Sequence, residues 1–192
     1  MGQREQLLAG ARTCLLERGY AHTTARDIVA ANPGANLASI GYHFGSKDAL
    51  MIAAVLQLIE EWGDRIAEAA DGAAGNTPGE RLEHFIRGVL AAGPQERQVI
   101  AASVQAYGQA AFSDVVREQF RSTYERARVD LAALILGVPA EHLSDDDAAS
   151  VGSVALALIN GATLQWLIDP LAARGFDDLA PTLARIGTPA SA

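Results

Sequence analysis

Cysteine is almost absent from this sequence, which contains only Cys14, so an internal disulfide framework is excluded. So low a cysteine content suits a reducing compartment. No stretch reaches the roughly 18–20 uninterrupted apolar residues that a membrane span requires. The first residues lack the basic segment and apolar run of a signal peptide. We therefore expect a cytoplasmic protein without a membrane partner.

Catalytic motifs are missing as well. The sequence has no glycine-rich phosphate loop, no Gly-x-Ser-x-Gly elbow and no pair of carboxylates at catalytic spacing. Neither metal-ligand spacing nor a nearby cysteine pair accompanies His22, His84 or His142. The three acids of Asp145–Asp147 follow Ser144 and are better explained as a charge cluster at a helix start. We therefore predict no enzyme, no metal site and no cofactor.

Charge is distributed unevenly along the chain, whose net charge is −8. Residues 1–50 contain five basic and four acidic side chains, a net charge of +1 that leaves −9 for the remainder. Because DNA phosphates repel an acidic surface, DNA binding would be restricted to the first quarter. The charge permits a nucleic-acid-binding segment there but does not establish one.

Helices dominate the predicted structure. Alanine and leucine are abundant, the alternation typical of strands is absent, and glycine or proline separates stretches of helical period. Serine or threonine precedes several of these stretches as an N-cap. The pattern predicts an all-α fold of about nine helices, at residues 3–18, 25–31, 37–44, 47–71, 78–92, 95–110, 113–137, 145–168 and 177–186.

The predicted helices fall into three parts. Residues 1–50 contain three helices, and residues 51–186 form a helical remainder that we interpret as an effector-binding and dimerisation domain. Residues 187–192 are predicted to be a flexible tail. The longest irregular stretch, Asp71 to Gly79, is interpreted as a hinge. Cys14 lies on the first predicted helix and is expected to belong to the protein core, with redox sensing as the alternative.

Residues 24–50 carry the clearest functional pattern. A short capped helix, a glycine-containing turn and a second short helix are followed by the cap of a long helix. Two short helices joined by a tight turn form a helix-turn-helix unit, whose second helix enters the major groove of DNA. In that helix Ile40 and Phe44 lie four residues apart and face inward. Small, polar and aromatic side chains remain on its outer surface.

The run Ser-Ile-Gly-Tyr-His-Phe-Gly-Ser-Lys-Asp-Ala-Leu at residues 39–50 resembles the signature of the tetracycline-repressor (TetR) family. The run Thr-Thr-Ala-Arg-Asp-Ile at residues 23–28 is similar to the start of that family's second helix. The resemblance covers residues 5–55, and beyond them only the number and order of helices agree. It implies a bacterial transcription regulator. Its N-terminal three-helix helix-turn-helix domain would be joined by a long fourth helix to an all-helical ligand-binding and dimerisation domain.

The resemblance also assigns DNA contacts. It implies that Tyr42 and His43 touch the DNA backbone and that Lys47 touches a phosphate. It places Thr24 and Arg26 at the start of the second helix, where donors meet a phosphate or a base edge. The residues implied to lie at base edges are Asn36, Leu37, Ala38 and Ser39.

Two positions depart from the family pattern. Pro33 looks like a one-residue insertion in the turn, which would tilt the recognition helix. Gly41 belongs to the predicted DNA-binding surface but stands where family members often carry an aromatic residue, so one backbone contact is expected to be missing. Both departures affect the operator sequence more than DNA binding itself.

Lys47 is the only lysine among fifteen basic residues. Because the helix dipole disfavours an ammonium group at a helix start, we interpret Lys47 as a group that binds a DNA phosphate. A solvated surface lysine is the alternative.

The helical remainder contains candidates for a pocket that binds an unknown small-molecule effector between helices. Tyr107, Asn160 and Trp166 are favoured because each brings a polar atom to an otherwise apolar helix face. Ordinary core packing is the alternative for each candidate. A pocket of this composition would take a largely apolar ligand with one or two hydrogen-bonding groups. The full set is Trp62, Phe85, Val89, Ser103, Tyr107, Phe120, Tyr124, Asn160 and Trp166.

The helix predicted at 145–168 is apolar over more than one face, which would leave apolar area exposed on an isolated chain. With the helix at 177–186 it is predicted to pair with a second copy in a four-helix interface, as the resemblance also implies. A homodimer would present two recognition helices about 34–36 Å apart to a palindromic operator. The predicted interface residues are Val151, Val154, Ala155, Leu158, Ile159, Ala162, Leu179 and Leu183.

These observations predict a ligand-responsive regulator, expected to be a repressor, that binds double-stranded operator DNA as a homodimer. Bound effector would shift the helix at 47–71, change the separation of the recognition helices and release the operator. One alternative is a helical ligand-binding protein that does not bind DNA, which Pro33 and the acidic balance keep open. A small helical enzyme is disfavoured by the missing catalytic groups.

Overall fold

A computed structural model describes residues 2–70 and 77–187. Within these residues the fold is all-α, as predicted, and no strand occurs. Short 3₁₀ turns lie at Ala140–His142 and Pro170–Phe176. The helices are α1 (Gln3–Arg18), α2 (Ala25–Ala31), α3 (Leu37–Phe44), α4 (Lys47–Ala70), α5 (Pro78–Ala110), α6 (Asp114–Leu136), α7 (Asp145–Ile168, with a π turn at Ala148–Gly152) and α8 (Leu179–Gly187).

The first three helices share a small apolar core. Leu7, Ala11 and Leu15 recur on one face of α1 at helical spacing and are completely buried. Gly10 lies on the same side, and a Cβ there would be 2.3 Å from the carbonyl oxygen of Ile28. The absence of a side chain therefore allows α1 and α2 to approach each other closely.

The predicted helix starts are confirmed by their capping bonds. Thr24 accepts a hydrogen bond from the backbone amide of Asp27 at 3.2 Å. Ser144 accepts one from the amide of Asp147 at 3.1 Å. Each cap satisfies an amide that has no partner within the first helical turn, so the short helix α2 and the start of α7 are fixed by local chemistry.

The helix break predicted at Gly93-Pro94 is wrong, because α5 continues through Pro94. A proline inside a helix removes one backbone hydrogen bond, which is why the sequence predicted two helices. Gly93 lies against the indole of Trp166, so closely that a Cβ would be 2.7 Å from ring atom Cε2. Tertiary packing at this position opposes the local tendency to break.

Among the described residues the chain forms two compact units. One contains residues 1–62 and 95–123, and the other contains residues 63–94 and 124–192. The helices α4, α5 and α6 each contribute residues to both. The predicted boundary between a DNA-binding domain and an effector-binding domain, after residue 50, lies inside the first unit. That division by function stays a prediction. Most of the predicted hinge and nearly all of the predicted tail lie outside the described residues.

Contacts within the first unit join its two sequence segments. The side-chain amide of Gln119 in α6 donates to the carbonyl of Ala49 in α4 at 3.3 Å. A bidentate ion pair between Arg12 and Glu61, with N–O distances of 2.5 and 2.6 Å, joins α1 to α4. The start of α4 is therefore held by α6, and its second half is held by α1.

The helix α7 is long and apolar enough to cross a membrane, judged by length and composition alone. A core helix can pass the same test, but only 22% of its most apolar window is buried within this chain. Ala155, Ala162 and Trp166 face the interior of their own unit. Val154 and Ile168 are exposed on the other side. This helix thus presents an apolar face that residues 2–70 and 77–187 do not cover.

Candidate nucleic-acid interface

The helix-turn-helix segment exposes the side chains predicted to contact DNA. In α3, Ile40 and Phe44 are buried as predicted, whereas Tyr42 is 86% exposed. The packing of two inward residues therefore fixes which surface of α3 faces outward. The other predicted residues are either exposed (Thr24, Arg26, Asn36, Leu37, Ala38, Gly41) or half-buried (Ser39, His43, Lys47).

Asn36 has a structural role that was not predicted. Its side-chain oxygen accepts a hydrogen bond from the backbone amide of Ala38 at 2.9 Å and caps the start of α3. That oxygen has a second lone pair, so both it and the amide nitrogen of the exposed Asn36 remain available to a base edge. Asparagine is both a good cap and a good adenine-binding group, so the residue type alone does not distinguish the two roles.

Tyr42 and His43 form an aromatic pair. Their rings meet edge to face, with centroids 4.9 Å apart and an interplanar angle of 83°. This arrangement is a favourable one for aromatic rings, and it limits the orientations that the exposed Tyr42 ring can adopt. A tyrosine held in this way presents its hydroxyl group to solvent, where a phosphate oxygen could accept a hydrogen bond.

At the start of α2, Thr24 is engaged by its own helix. Its backbone amide and hydroxyl both donate to the carboxylate of Asp27, at 2.9 and 2.6 Å. These bonds from Thr24, together with Arg18 at 2.8 Å, lower the pKa of Asp27. A phosphate would have to compete with that carboxylate for Thr24. Arg26 is exposed beside it and is the more available donor.

Lys47 is held by residues of its own chain. Its ammonium donates to the carbonyl oxygen of Thr23 at 3.2 Å, lies 3.2 Å from a carboxylate oxygen of Asp48, and is 5.6 Å from the ring centroid of Tyr20. These contacts offset the unfavourable helix dipole within the chain, so the dipole alone is no argument for an external anion, and the phosphate contact of Lys47 stays a prediction. The side chain is still 32% exposed. Lys47 also joins the start of α4 to the loop between α1 and α2.

The turn between α2 and α3, which contains Pro33, is attached to α1. The side-chain amide of Gln3 donates to the carbonyl oxygen of Gly34 at 2.7 Å. A Cβ on Gly34 would meet the side chain of Gln6 at 2.4 Å. These glutamines were missed, since a surface glutamine carries no positional signal in a single sequence.

Four effector-site candidates belong to the first compact unit. The rings of Tyr107 and Phe120 have centroids 5.1 Å apart and pack together. The hydroxyl of Ser103 donates to the carbonyl of Ile100 in its own helix at 2.7 Å, which favours a structural role. Trp62 is buried, and its indole N–H finds no partner among the described residues. That donor is the best candidate of the four for a ligand contact.

The remaining five candidates belong to the second compact unit. Phe85 and Val89 are buried, as core residues would be. The side-chain amide of Asn160 in α7 donates to the hydroxyl of Tyr124 in α6 at 3.0 Å. Trp166 is buried against the backbone of α5. The structure therefore brings Tyr124 and Asn160 together as a polar pair between two facing helices.

Three predicted interface residues are buried within their own chain. Ala155, Ala162 and Leu179 are at most 5% exposed, so their assignment to a subunit interface is corrected. The sequence shows that α7 is apolar on more than one face but not which face its own chain covers. Of the other predicted residues Val154 is exposed, whereas Val151, Leu158, Ile159 and Leu183 are half-buried.

Cys14 is 2% exposed, which confirms its predicted place in the core. Burial raises the pKa of its thiol, so the reactive thiolate is scarce near neutral pH. We expect no modification of the folded protein by a thiol-specific reagent at pH 7.5 within an hour, and one equivalent of modification after denaturation. Stoichiometric labelling of the folded protein within minutes would instead favour redox sensing.

Two family models match the chain. The model of the bacterial regulatory proteins of the tetR family matches residues 7–54. The model of the C-terminal domain of BetI-type transcriptional repressors matches residues 78–185, which is more than half of the chain. The two matched segments contain the helix-turn-helix helices and α5 to α8.

Relatives agree with both matches. The chain is 29% identical over 160 residues to the HTH-type transcriptional regulator BetI of Rhizobium meliloti (strain 1021), covering 83% of this chain and 75% of the relative. The solved structure of a putative transcriptional regulator from Rhodococcus sp. RHA1 superposes with a TM-score of 0.70 at 19% sequence identity. The match covers 97% of this chain and 95% of that one. The solved structure of a putative transcriptional regulator from Saccharomonospora viridis in complex with choline has a TM-score of 0.57 at 21% identity. That match covers 95% of this chain and 94% of the other. The chain therefore belongs to the TetR family of transcription regulators, with an N-terminal helix-turn-helix domain and a BetI-type C-terminal domain.

Proposed function

We propose that this regulator is a homodimeric repressor that binds a palindromic operator through α3 and is released by a small effector. The observation that carries the proposal is the outer surface of α3. Tyr42 and Leu37 are exposed there, although their neighbours Ile40 and Phe44 are buried. A short helix with a small, polar and aromatic outer face fits the major groove. Arg26 and the exposed part of Lys47 would add phosphate contacts.

The exposed face of α7 supports the dimer. Val154, Leu164 and Ile168 lie along one side of the helix and are exposed. Ala157 and Gly161 lie between them on the same side, and small residues allow the backbone of another helix to approach. The exposed Ile186 in α8 adds to the apolar area. Large apolar patches are uncommon on monomers, and a second copy of α7 and α8 would bury this one.

The helix α6 offers a physical route for effector release. Through Gln119 it contacts the start of α4, where Lys47 in turn contacts the loop before α2. Further along α6, Tyr124 pairs with Asn160. A ligand bound near this pair would favour one position of α6 over another and so bias the DNA-binding helices. We expect a small, largely apolar effector with one or two hydrogen-bonding groups.

The first experiment is selection of bound DNA from a random duplex pool by the purified full-length protein. We expect enrichment of a palindrome whose half-sites are separated by about one helical turn. Enrichment of no sequence, at low salt and without added ligand, would favour the alternative of a helical ligand-binding protein that does not bind DNA.

Replacing Lys47 by alanine is expected to reduce the slope of log affinity against log salt concentration by about one for each protomer, which is about two for the dimer, for operator and random DNA alike. The reason is that one phosphate contact, and the counterion it releases, would be lost per protomer half-site. The measurement is a salt titration of operator binding by fluorescence anisotropy. Arg121→Ala removes an exposed positive charge from α6 and should leave the slope unchanged. An unchanged slope in Lys47→Ala as well would restrict Lys47 to its intramolecular contacts.

A further inference from the structure

The helix α6 places an arginine on its buried face. Arg128 shares this face with Phe120, Leu131 and Ile135, all of which are buried at helical spacing. Arg128 is half-buried, and its Nε atom is fully covered. A guanidinium stays charged in proteins, so its position between apolar neighbours requires an explanation.

Within the part of the chain that the structure describes, the Nε atom of Arg128 is buried without a hydrogen-bond partner. Leaving a buried charged donor unsatisfied is unfavourable, and most such groups in native proteins have a partner. The missing partner would therefore be an acceptor from outside the chain.

The surroundings of Arg128 supply further hydrogen-bonding groups. Tyr124 lies one helical turn before Arg128 on the same face of α6, so their side chains are neighbours. The hydroxyl of Tyr124 is bonded to the amide of Asn160 at 3.0 Å. Gly152 of α7 packs on the backbone of Arg128, where a Cβ would be 2.2 Å from its carbonyl oxygen. The backbones of α6 and α7 therefore meet at Arg128, one helical turn from the polar pair.

A second copy of the chain does not provide the acceptor in the proposed dimer. Gly152 faces α6, on the side of α7 opposite to the exposed stripe of Val154, Leu164 and Ile168. A partner bound to that stripe would lie on the far side of α7 from Arg128. A small molecule that reaches the half-buried side chain of Arg128 from solvent fits this position better.

We propose that Arg128, with Tyr124 and Asn160, binds the carboxylate of the effector, which is therefore a small organic acid. A planar guanidinium matches a carboxylate with two parallel hydrogen bonds. A single positive charge balances a monoanion, whereas a phosphate dianion would need a second cation. The inference rests on the proposed function, because it names the chemical class of ligand that would release the operator.

The first test needs no ligand. Replacing Arg128 by methionine keeps an unbranched side chain of similar length and removes the unpaired charge. We expect an unchanged melting temperature or one raised by about 2 °C, since replacing a buried charge by an apolar group is often neutral or stabilising. Arg126→Met, on the exposed side of the same helix, is the matched control. A decrease of several degrees in Arg128→Met alone would make Arg128 a structural residue and overturn the proposal.

The second test compares straight-chain carboxylates of four to ten carbons with their primary amides, by thermal shift of the full-length protein. We expect at least one acid to stabilise the wild type by several degrees, its amide to bind at least tenfold more weakly, and Arg128→Met to lose the difference. Arg128→Lys should retain part of it. If no acid binds more tightly than its amide, or if Arg128→Met binds the acids as the wild type does, the assignment is wrong.

Operator binding separates this inference from the proposed function. Wild type and Arg128→Met should bind the selected operator equally in the absence of ligand, because Arg128 does not touch DNA. Failure of both proteins to bind DNA would contradict the proposed function, while the thermal shifts would still decide whether Arg128 binds acids. Operator binding that persists in the wild type at saturating acid would leave acid binding without a role in release and would overturn the effector assignment.

Discussion

Replacing Gly152 by alanine is expected to lower the melting temperature by roughly 6–12 °C. The added Cβ would lie 2.2 Å from the carbonyl oxygen of Arg128 and 2.8 Å from its Cα, both of which are backbone atoms of α6. Side-chain rotation cannot relieve a contact with backbone, so α6 and α7 would have to separate. Overpacking of this kind costs about 3 kcal/mol, and 1 kcal/mol shifts the melting temperature of a protein of this size by about 2–4 °C.

Thermal unfolding followed by circular dichroism measures the effect. Gly108→Ala in α5 is the matched control, because a Cβ at Gly108 meets no atom within 4 Å. This control should be unchanged or slightly stabilised, since alanine is favoured over glycine in a helix by up to about 1 kcal/mol. A melting temperature of Gly152→Ala within about 2 °C of the wild type would show that α6 and α7 do not pack this closely in solution.

Replacing Gly161 by leucine is expected to abolish the dimer and to lower operator affinity by at least about 100-fold. A Cβ at Gly161 meets no atom of the described residues within 4 Å, so we expect a single protomer to tolerate the larger side chain. In the proposed interface Gly161 lies in the middle of the exposed stripe of α7, where leucine would hold two helices apart. A monomer would engage only one half-site and lose the gain from linked binding, which is about 10²–10⁴-fold.

Light scattering coupled to size-exclusion chromatography and anisotropy with the selected operator measure the two effects. Gly108→Leu places the same side chain at an exposed glycine in another helix and should remain dimeric with wild-type affinity. A dimeric Gly161→Leu protein that still binds its operator tightly would assign the dimer to another surface. The exposed stripe would then need another partner, and binding to lipid vesicles would test whether that partner is a membrane.

The parts of the fold that were predictable depend on neighbours in the sequence. The start of α2 follows from Thr24 and Asp27, whose side chains and amides bond within one helical turn. The inward face of α3 follows from the spacing of Ile40 and Phe44, because a helix brings every third or fourth residue to the same side. Capping and helical period are both visible without knowledge of the tertiary structure.

The parts that were not predictable depend on residues distant in the sequence. Helix α5 continues through Pro94 beside Gly93, whose backbone packs on Trp166 of α7. Lys47 acquires its internal acceptor from Thr23, a carbonyl that no residue type reveals. The buried side of α7 depends on which apolar face meets α6, and the two faces have similar composition. Each of these outcomes is decided by long-range packing, which a single sequence does not encode in its local pattern.

The exposed surface of α3 has a consequence for how this protein can diverge. A side chain added at Gly41 meets no atom within 4 Å, and Leu37 projects into solvent. Ile40 and Phe44, in contrast, are fixed by the core. Substitutions on the outer surface are therefore expected to cost little folding free energy, while in the proposed complex they would change the groups offered to the major groove. Descendants of this chain can exchange one set of target genes for another without first acquiring stabilising changes elsewhere.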